Sequence, residues 1–181
     1  MDDRRARFDA QVLPHLDAGH RLARGLSRSS PDADDIVQDA VLRAFRGFEG
    51  LRGSDAKAWL LTIVRNCCNS TLSQRQRRFQ VPLPEEHDVQ DGHAMIADTP
   101  DPESESIRRD QRQVLERLLA ALPEEHREVL VLREIEDLDY RQIAAATCVP
   151  IGTVMSRLAR ARAALKTSWQ REVGGESLAV R

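Results

Sequence analysis

The sequence predicts an all-α fold built from two small helical domains. Three observations carry this expectation. Gly and Pro are few, 9 and 8 among 181 residues, so little interrupts helix formation. Aromatics make up only 4% and β-branched runs are rare, which leaves no composition suited to sheet. Apolar residues recur at helical spacing on both sides of an acidic, Pro-containing stretch at residues 80–106. The chain therefore divides into a domain at 1–79, a flexible linker at 80–106, a domain at 107–172 and a tail at 173–181.

In the first domain a single helix is predicted from Arg4 to Ser27, with Phe8, Val12, Leu13 and Leu16 inward. Ser30-Pro31 then places a capping residue before Pro at the first helical position. Asp32, Asp34 and Asp35 fill the first turn, where the helix dipole favours acids. That helix runs from Pro31 to about Phe48. Ile36, Val37, Ala40, Val41, Ala44 and Phe45 form its apolar face, and Asp35, Gln38, Asp39, Leu42, Arg43 and Arg46 lie outside. A third helix starts after Ser54 and reaches about Gln74. Leu60, Ile63, Val64 and Cys67 face inward, while Thr62, Arg65, Asn66, Asn69 and Ser73 share the opposite face. Such a face is either an ordinary solvated surface or a reader of unstacked bases, because Asn, Thr and Ser pair with base edges and Arg holds phosphate. Trp59 is read as a core or half-buried ring, with stacking on a base as the alternative.

From Gln80 to Ser106 the chain carries eight acids, four of its prolines and no Lys or Arg. That composition cannot bury enough apolar surface to offset its ordering entropy. It is read as a tether. Its 27 residues could span roughly 90 Å at ~3.3 Å each.

In the second domain, Val114, Leu115, Leu118, Leu119 and Leu122 mark a helix over Ile107–Leu122, and Pro123 ends it. A second helix covers Glu124–Ile135. Asp139 is positioned to cap a short helix ending near Thr147. After a break at Cys148-Val149-Pro150, the last helix runs from about Ile151 to Trp169. Helix, tight break and basic helix make a helix-turn-helix pattern. Val154, Leu158, Ala161 and Leu165 form the inner stripe of that last helix. Thr153, Ser156, Arg157 and Arg160 lie on the other side. The alternative is an amphipathic helix packed on a partner.

Net charge is −2 and decides nothing about nucleic acid, but its distribution is uneven. Arg65–Arg78 and Arg141–Arg171 are basic and free of acids. Two basic patches joined by an acidic tether suit two contacts on one nucleic acid. No apolar stretch approaches the ~20 residues of a membrane span, so a cytoplasmic protein without membrane insertion is expected. Cys67, Cys68 and Cys148 lack C-x-x-C spacing and are read as buried thiols. The five histidines are scattered, and no nucleophile–base pair or phosphate loop is present. No catalytic residue, metal or cofactor is expected.

In the second domain four segments stand out: Leu122-Pro123, His126-Arg127-Glu128-Val129, Tyr140-Arg141-Gln142-Ile143-Ala144 and Pro150-Ile151-Gly152-Thr153-Val154-Met155-Ser156-Arg157-Leu158. They resemble region 4 of the extracytoplasmic-function (ECF) sigma factors of bacterial RNA polymerase, which implies −35 DNA contacts for Arg141, Thr153, Ser156, Arg157 and Arg160. Met155 departs from the Arg or Lys of many relatives. In the first domain, Asp32 through Phe45 resembles region 2.2, which implies contacts with the polymerase β′ clamp helices by Asp35, Gln38, Asp39, Leu42 and Arg43. Leu51-Arg52-Gly53 and Trp59 through Asn66 resemble regions 2.3 and 2.4, which open the −10 element. That implies −10 DNA contacts for Trp59, Thr62, Arg65, Asn66 and Asn69, with Asn66 lining a flipped-base pocket. Thr62 stands where Arg is common. The resemblance further implies core polymerase (β′ clamp helices and β flap), promoter DNA and an anti-sigma factor as partners. The rival reading is a helix-turn-helix regulator that acts without polymerase.

Overall fold

A computed structural model of the chain describes residues 2–27, 30–51, 55–78 and 113–176, and all regular structure among them is helical. The acidic segment 80–106 and tail residues 177–181 lie outside the described residues.

Among the described residues the first domain has four α-helices. α1 (Asp2–Val12) and α2 (Leu16–Ser27) are separated by a 3-10 turn, Leu13–His15. The single helix expected over Arg4–Ser27 is therefore two. The physical reason is Pro14, which has no N–H to continue the ladder and begins the turn instead. The break also turns Leu13 outward, 39% exposed, while Phe8 and Val12 stay buried as expected. α3 (Ser30–Gly47) begins one residue before the predicted start and ends in a short turn, Phe48–Gly50. Its Ile36, Val37, Ala40 and Ala44 are buried. Phe45 is 37% exposed, so the inward position expected for it is only partly met. Its ring instead meets the edge of Phe8 at 5.1 Å, and Arg4 stacks over it. α4 (Ala56–Arg78) runs four residues past the predicted end. The Asp55 carboxylate accepts from the Ala58 amide at its start, 3.0 Å. Leu60, Leu61, Val64, Cys67 and Cys68 lie against α2 and α3 as the core.

In the second domain, residues 113–121 form α5, and Pro123 opens α6 (Glu124–Leu130). A π-helical turn, Val131–Ile135, continues it. Ile135, the apolar end of the helix expected over Glu124–Ile135, closes that turn and is 43% exposed. α7 (Tyr140–Thr147) starts with the predicted cap. Asp139 accepts from the amides of Arg141 and Gln142, at 2.7 and 2.8 Å, and its own amide donates to the Gln142 side chain. This reciprocal pairing satisfies the open amides of the first turn. Cys148 ends α7 with φ 55°, a left-handed conformation that usually selects Gly. It is exposed, which corrects the expectation that all three thiols are buried. α8 (Ile151–Glu176) extends beyond Trp169, with Val154, Leu158 and Ala161 fully inward.

The two domains pack directly on each other, which the sequence did not announce. One buried cluster runs from Leu22, Leu26 and Val64 to Val131, Leu132, Ile143 and Leu158. A Cβ on Gly25 of α2 would stand 3.1 Å from a Val131 methyl, so Gly25 permits the close approach. Polar groups close the seam. Glu136, its side chain wholly buried, accepts from Arg21 Nε and Nη2 at 2.9 and 3.0 Å and lies 3.4 Å from Lys57 Nζ. The Lys57 ammonium also donates to the Glu136 carbonyl, 2.6 Å. The Glu136 hydrogen bond raises the pKa of Arg21 against an opposing effect of burial. Arg127, also buried, donates to the Leu26 carbonyl of α2 and the Ala120 carbonyl of α5.

Candidate nucleic-acid interface

α7, the Cys148–Pro150 turn and α8 form a helix-turn-helix, with α8 seated by Val154 and Leu158 on the core. Its outward residues differ in availability. Ser156 and Arg160 are exposed, and Thr153 is half-buried. The Ser156 hydroxyl donates to the Thr153 carbonyl, 2.9 Å. Arg157 is not open to solvent as its position in the sequence suggests. Its side chain is 20% exposed and ion-paired to Glu125 of α6. Arg162 is paired with Glu134, which raises its pKa. Arg141 is exposed at the first turn of α7.

The polar face of α4 is likewise graded. Asn66 is exposed, and its side-chain oxygen accepts from Arg65 at 3.3 Å. Thr62 and Asn69 are half-buried, and the Thr62 hydroxyl donates back to the Ala58 carbonyl. Trp59 is half-buried against the core. Arg65 lies in the domain seam. Its Nε donates to Glu128 of α6 at 2.5 Å, and Nη2 reaches the second oxygen at 3.4 Å.

On α3, Asp35, Gln38, Asp39, Leu42 and Arg43 are all exposed, on one side of the helix. Arg43 pairs with Asp39 at 2.7 Å, and Leu42 is 50% exposed. Beside them runs an open groove of about 270 Å³ lined by Leu16, His20, Val37 and Val41. His20 Nδ1 lies 3.3 Å from Asp34 at its edge.

The α3, α4 and α8 sets stay on three separate helices. Arg21, Lys57 and Glu136 were not singled out from sequence, and Glu128 only as part of a motif, yet all four close the seam. In the sequence each reads as a solvated charge, and pairings such as that of Arg21 with Glu136 across 115 residues reveal otherwise. Burial pushes the Cys67 thiol up and the Cys68 thiol to about 12, so neither is a reactive thiolate at neutral pH. Among the described residues, no group of three His, Cys, Asp or Glu side chains could hold a metal ion, and no helix is long and apolar enough to cross a membrane.

Comparison with known proteins agrees with this geometry. The sigma-70 region 2 family matches residues 12–78, and the sigma-70 region 4 family matches residues 112–165. The ECF RNA polymerase sigma-E factor of Escherichia coli is 34% identical over 157 residues, covering 83% of this chain and 82% of that protein. The ECF RNA polymerase sigma factor SigE of Mycolicibacterium smegmatis is 35% identical over 161 residues, 88% of this chain and 60% of that one. Among solved structures, the sigma factor RpoE in complex with the anti-sigma factor NepR from Bartonella quintana has a TM-score of 0.74 and 28% identity, covering 91% of this chain and 97% of that one. CnrH in complex with the cytosolic domain of CnrY shares the fold, with a TM-score of 0.62 and 23% identity over 90% of this chain and 87% of that one. Matches to both regions, in order on one chain, leave the polymerase-independent regulator without support. This chain belongs to the ECF sigma factors of the sigma-70 family, the DNA-binding initiation factors that direct RNA polymerase to promoters.

Proposed function

We propose that residues 1–79 act as sigma region 2, 80–106 as an acidic tether, 107–172 as region 4 and 173–181 as a tail. Asp35, Gln38, Asp39, Leu42 and Arg43 dock on the β′ clamp helices of core polymerase. Exposure of all five on one helix face supports this, with Leu42 as the apolar contact amid charges. Asn66 lines a pocket for a flipped −10 base, flanked by Trp59, Thr62, Arg65 and Asn69. Capturing the base offsets the few kcal/mol that unpairing costs. Ser156 and Arg160 face the −35 major groove, with Thr153, Arg157 and Arg141 supporting the helix against phosphates. Region 4 also meets the β flap.

The chain performs no chemistry of its own, uses no metal or cofactor, and works in the cytoplasm. An anti-sigma factor is a further partner. Support comes from the two structural relatives, one bound to an anti-sigma factor and the other to the cytosolic domain of CnrY.

The observation that carries this reading is one chain presenting an exposed acidic-apolar helix face, a polar helix face and a basic helix-turn-helix. The test is run-off transcription by core polymerase on fragmented genomic DNA, with and without the chain. Discrete transcripts that require it are expected. A chain that shifts duplex DNA but neither binds core nor yields transcripts would overturn the assignment.

A further inference from the structure

The outward face of α8 is not uniformly polar. Met155 is 54% exposed, and Ile151, one turn earlier, is 41% exposed. Residues four apart stand on one face of a helix, so the two side chains form a continuous apolar strip. Both lie at the edge of the inner stripe, since Val154 and Leu158 follow them by three residues each, yet neither is buried with it. Met155 also stands tall. Three residues before it is Gly152, where an added Cβ would meet nothing within 4 Å, and four after it is Ala159, also exposed. Arg157, two residues on and so on another face of the helix, is turned toward Glu125. Ser156 and Arg160, four apart, stand together on the outward side of the strip, Arg160 as a hydrogen-bond donor and the Ser156 hydroxyl, whose proton goes to Thr153, as an acceptor.

A helix lying in the major groove meets base edges that offer donors, acceptors and a single apolar feature, the C5 methyl of thymine. An arginine at this place would read guanine through two hydrogen bonds. A thioether chain can make neither bond, yet it packs well on a methyl group. We propose that Met155, supported by Ile151, is a specificity-determining residue that selects thymine in the −35 duplex through its methyl group. The proposal rests on α8 being the −35 reader. Arg160 and Ser156 fix the helix to neighbouring bases and phosphates, and Met155 covers the methyl beside them.

The test uses holoenzyme reconstituted from core polymerase and the full chain. Binding sites are first selected from duplexes randomised across the −35 element. The expected result is thymine at one fixed position. Replacing it by deoxyuridine, which lacks only the methyl, then lowers promoter affinity about fourfold, the worth of one methyl-sized apolar contact. For Met155→Ala the same replacement changes affinity less than twofold, and Met155→Arg shifts the selected base away from thymine. The proposal is overturned by selection of no thymine, by insensitivity of the unaltered chain to deoxyuridine, or by equal sensitivity in Met155→Ala. Failure of the underlying −35 role looks different, because no preferred −35 sequence emerges at all.

Discussion

Arg65 of α4 and Glu128 of α6 form a two-pronged ion pair across the domain seam, with the carboxylate 6% and the guanidinium 17% exposed. Removing one partner of a pair this sheltered costs more than at the surface, because the other charge is left desolvated without compensation. Glu128→Ala is expected to lower stability by about 1.5–3 kcal/mol. Urea unfolding followed by circular dichroism measures it, and an unchanged midpoint would show that the seam is open in solution.

Glu136 is the more exacting case, since its carboxylate is wholly buried and faces two cations. Arg21→Ala leaves that carboxylate with Lys57 alone, at an expected cost of about 3 kcal/mol. Arg21→Lys recovers little of it, because an ammonium cannot reproduce the parallel pair of bonds. Comparing the thermal midpoints of the two variants decides the point.

The cysteines give a pH test. The folded chain holds the Cys68 proton up to about 12, whereas the unfolded chain releases it near the ordinary thiol value of 9.0. Between those values the native state binds more protons, so stability falls as pH rises above about 9, by up to roughly 1.4 kcal/mol per pH unit from this group. Below 9 it contributes no slope. Cys68→Ala should flatten the alkaline fall in melting temperature. Maleimide at pH 8 should label exposed Cys148 rapidly and leave Cys68 intact until the chain unfolds.

Asp139→Ala removes the cap of α7 and strands two amides, at an expected cost of about 1–2 kcal/mol. Because α7 seats α8, the variant should also bind −35 duplex more weakly as holoenzyme. Normal promoter affinity with lowered stability would separate the cap from the DNA-reading geometry.

Arg160 and Arg157 should respond differently to truncation. Exposed Arg160→Ala should weaken holoenzyme–promoter affinity about 5- to 150-fold, the range for one base-edge contact. Arg157→Ala should weaken it too, and Glu125→Gln tells how. If Glu125 only positions Arg157, the double variant is no worse than Arg157→Ala alone. Tighter binding by Glu125→Gln, lost in the double variant, would mean that Arg157 leaves Glu125 on binding.

Much of this architecture was legible where the information is local. α3, α4, α7 and α8 follow from apolar spacing, and the Asp139 cap from a single side chain beside an apolar run. The exposed α3 set was legible for the same reason: once the buried stripe of Ile36, Val37, Ala40 and Ala44 is fixed, the other face follows. Two local signals were outweighed. Pro14 sits inside an otherwise helical pattern, and Ile135, the apolar end of its expected helix, closes a π-helical turn and stands exposed. The seam was not legible at all. Its partners lie 63 and 115 residues apart and show no periodicity. Arg157 reads as a free cation only while Glu125 is counted as part of another helix.

The Arg65–Glu128 pair sets a competition. One guanidinium cannot grip a carboxylate and a nucleic-acid phosphate at the same time, so DNA that engages Arg65 reaches only those molecules in which the pair has parted. The apparent dissociation constant is then the intrinsic one divided by the parted fraction, and each tenfold rarity of that state weakens binding tenfold. Anything that holds the two domains separated removes this penalty without touching DNA. Under the −10 role proposed for Arg65, DNA affinity is thereby set in part by a pair of residues that never need to contact a base.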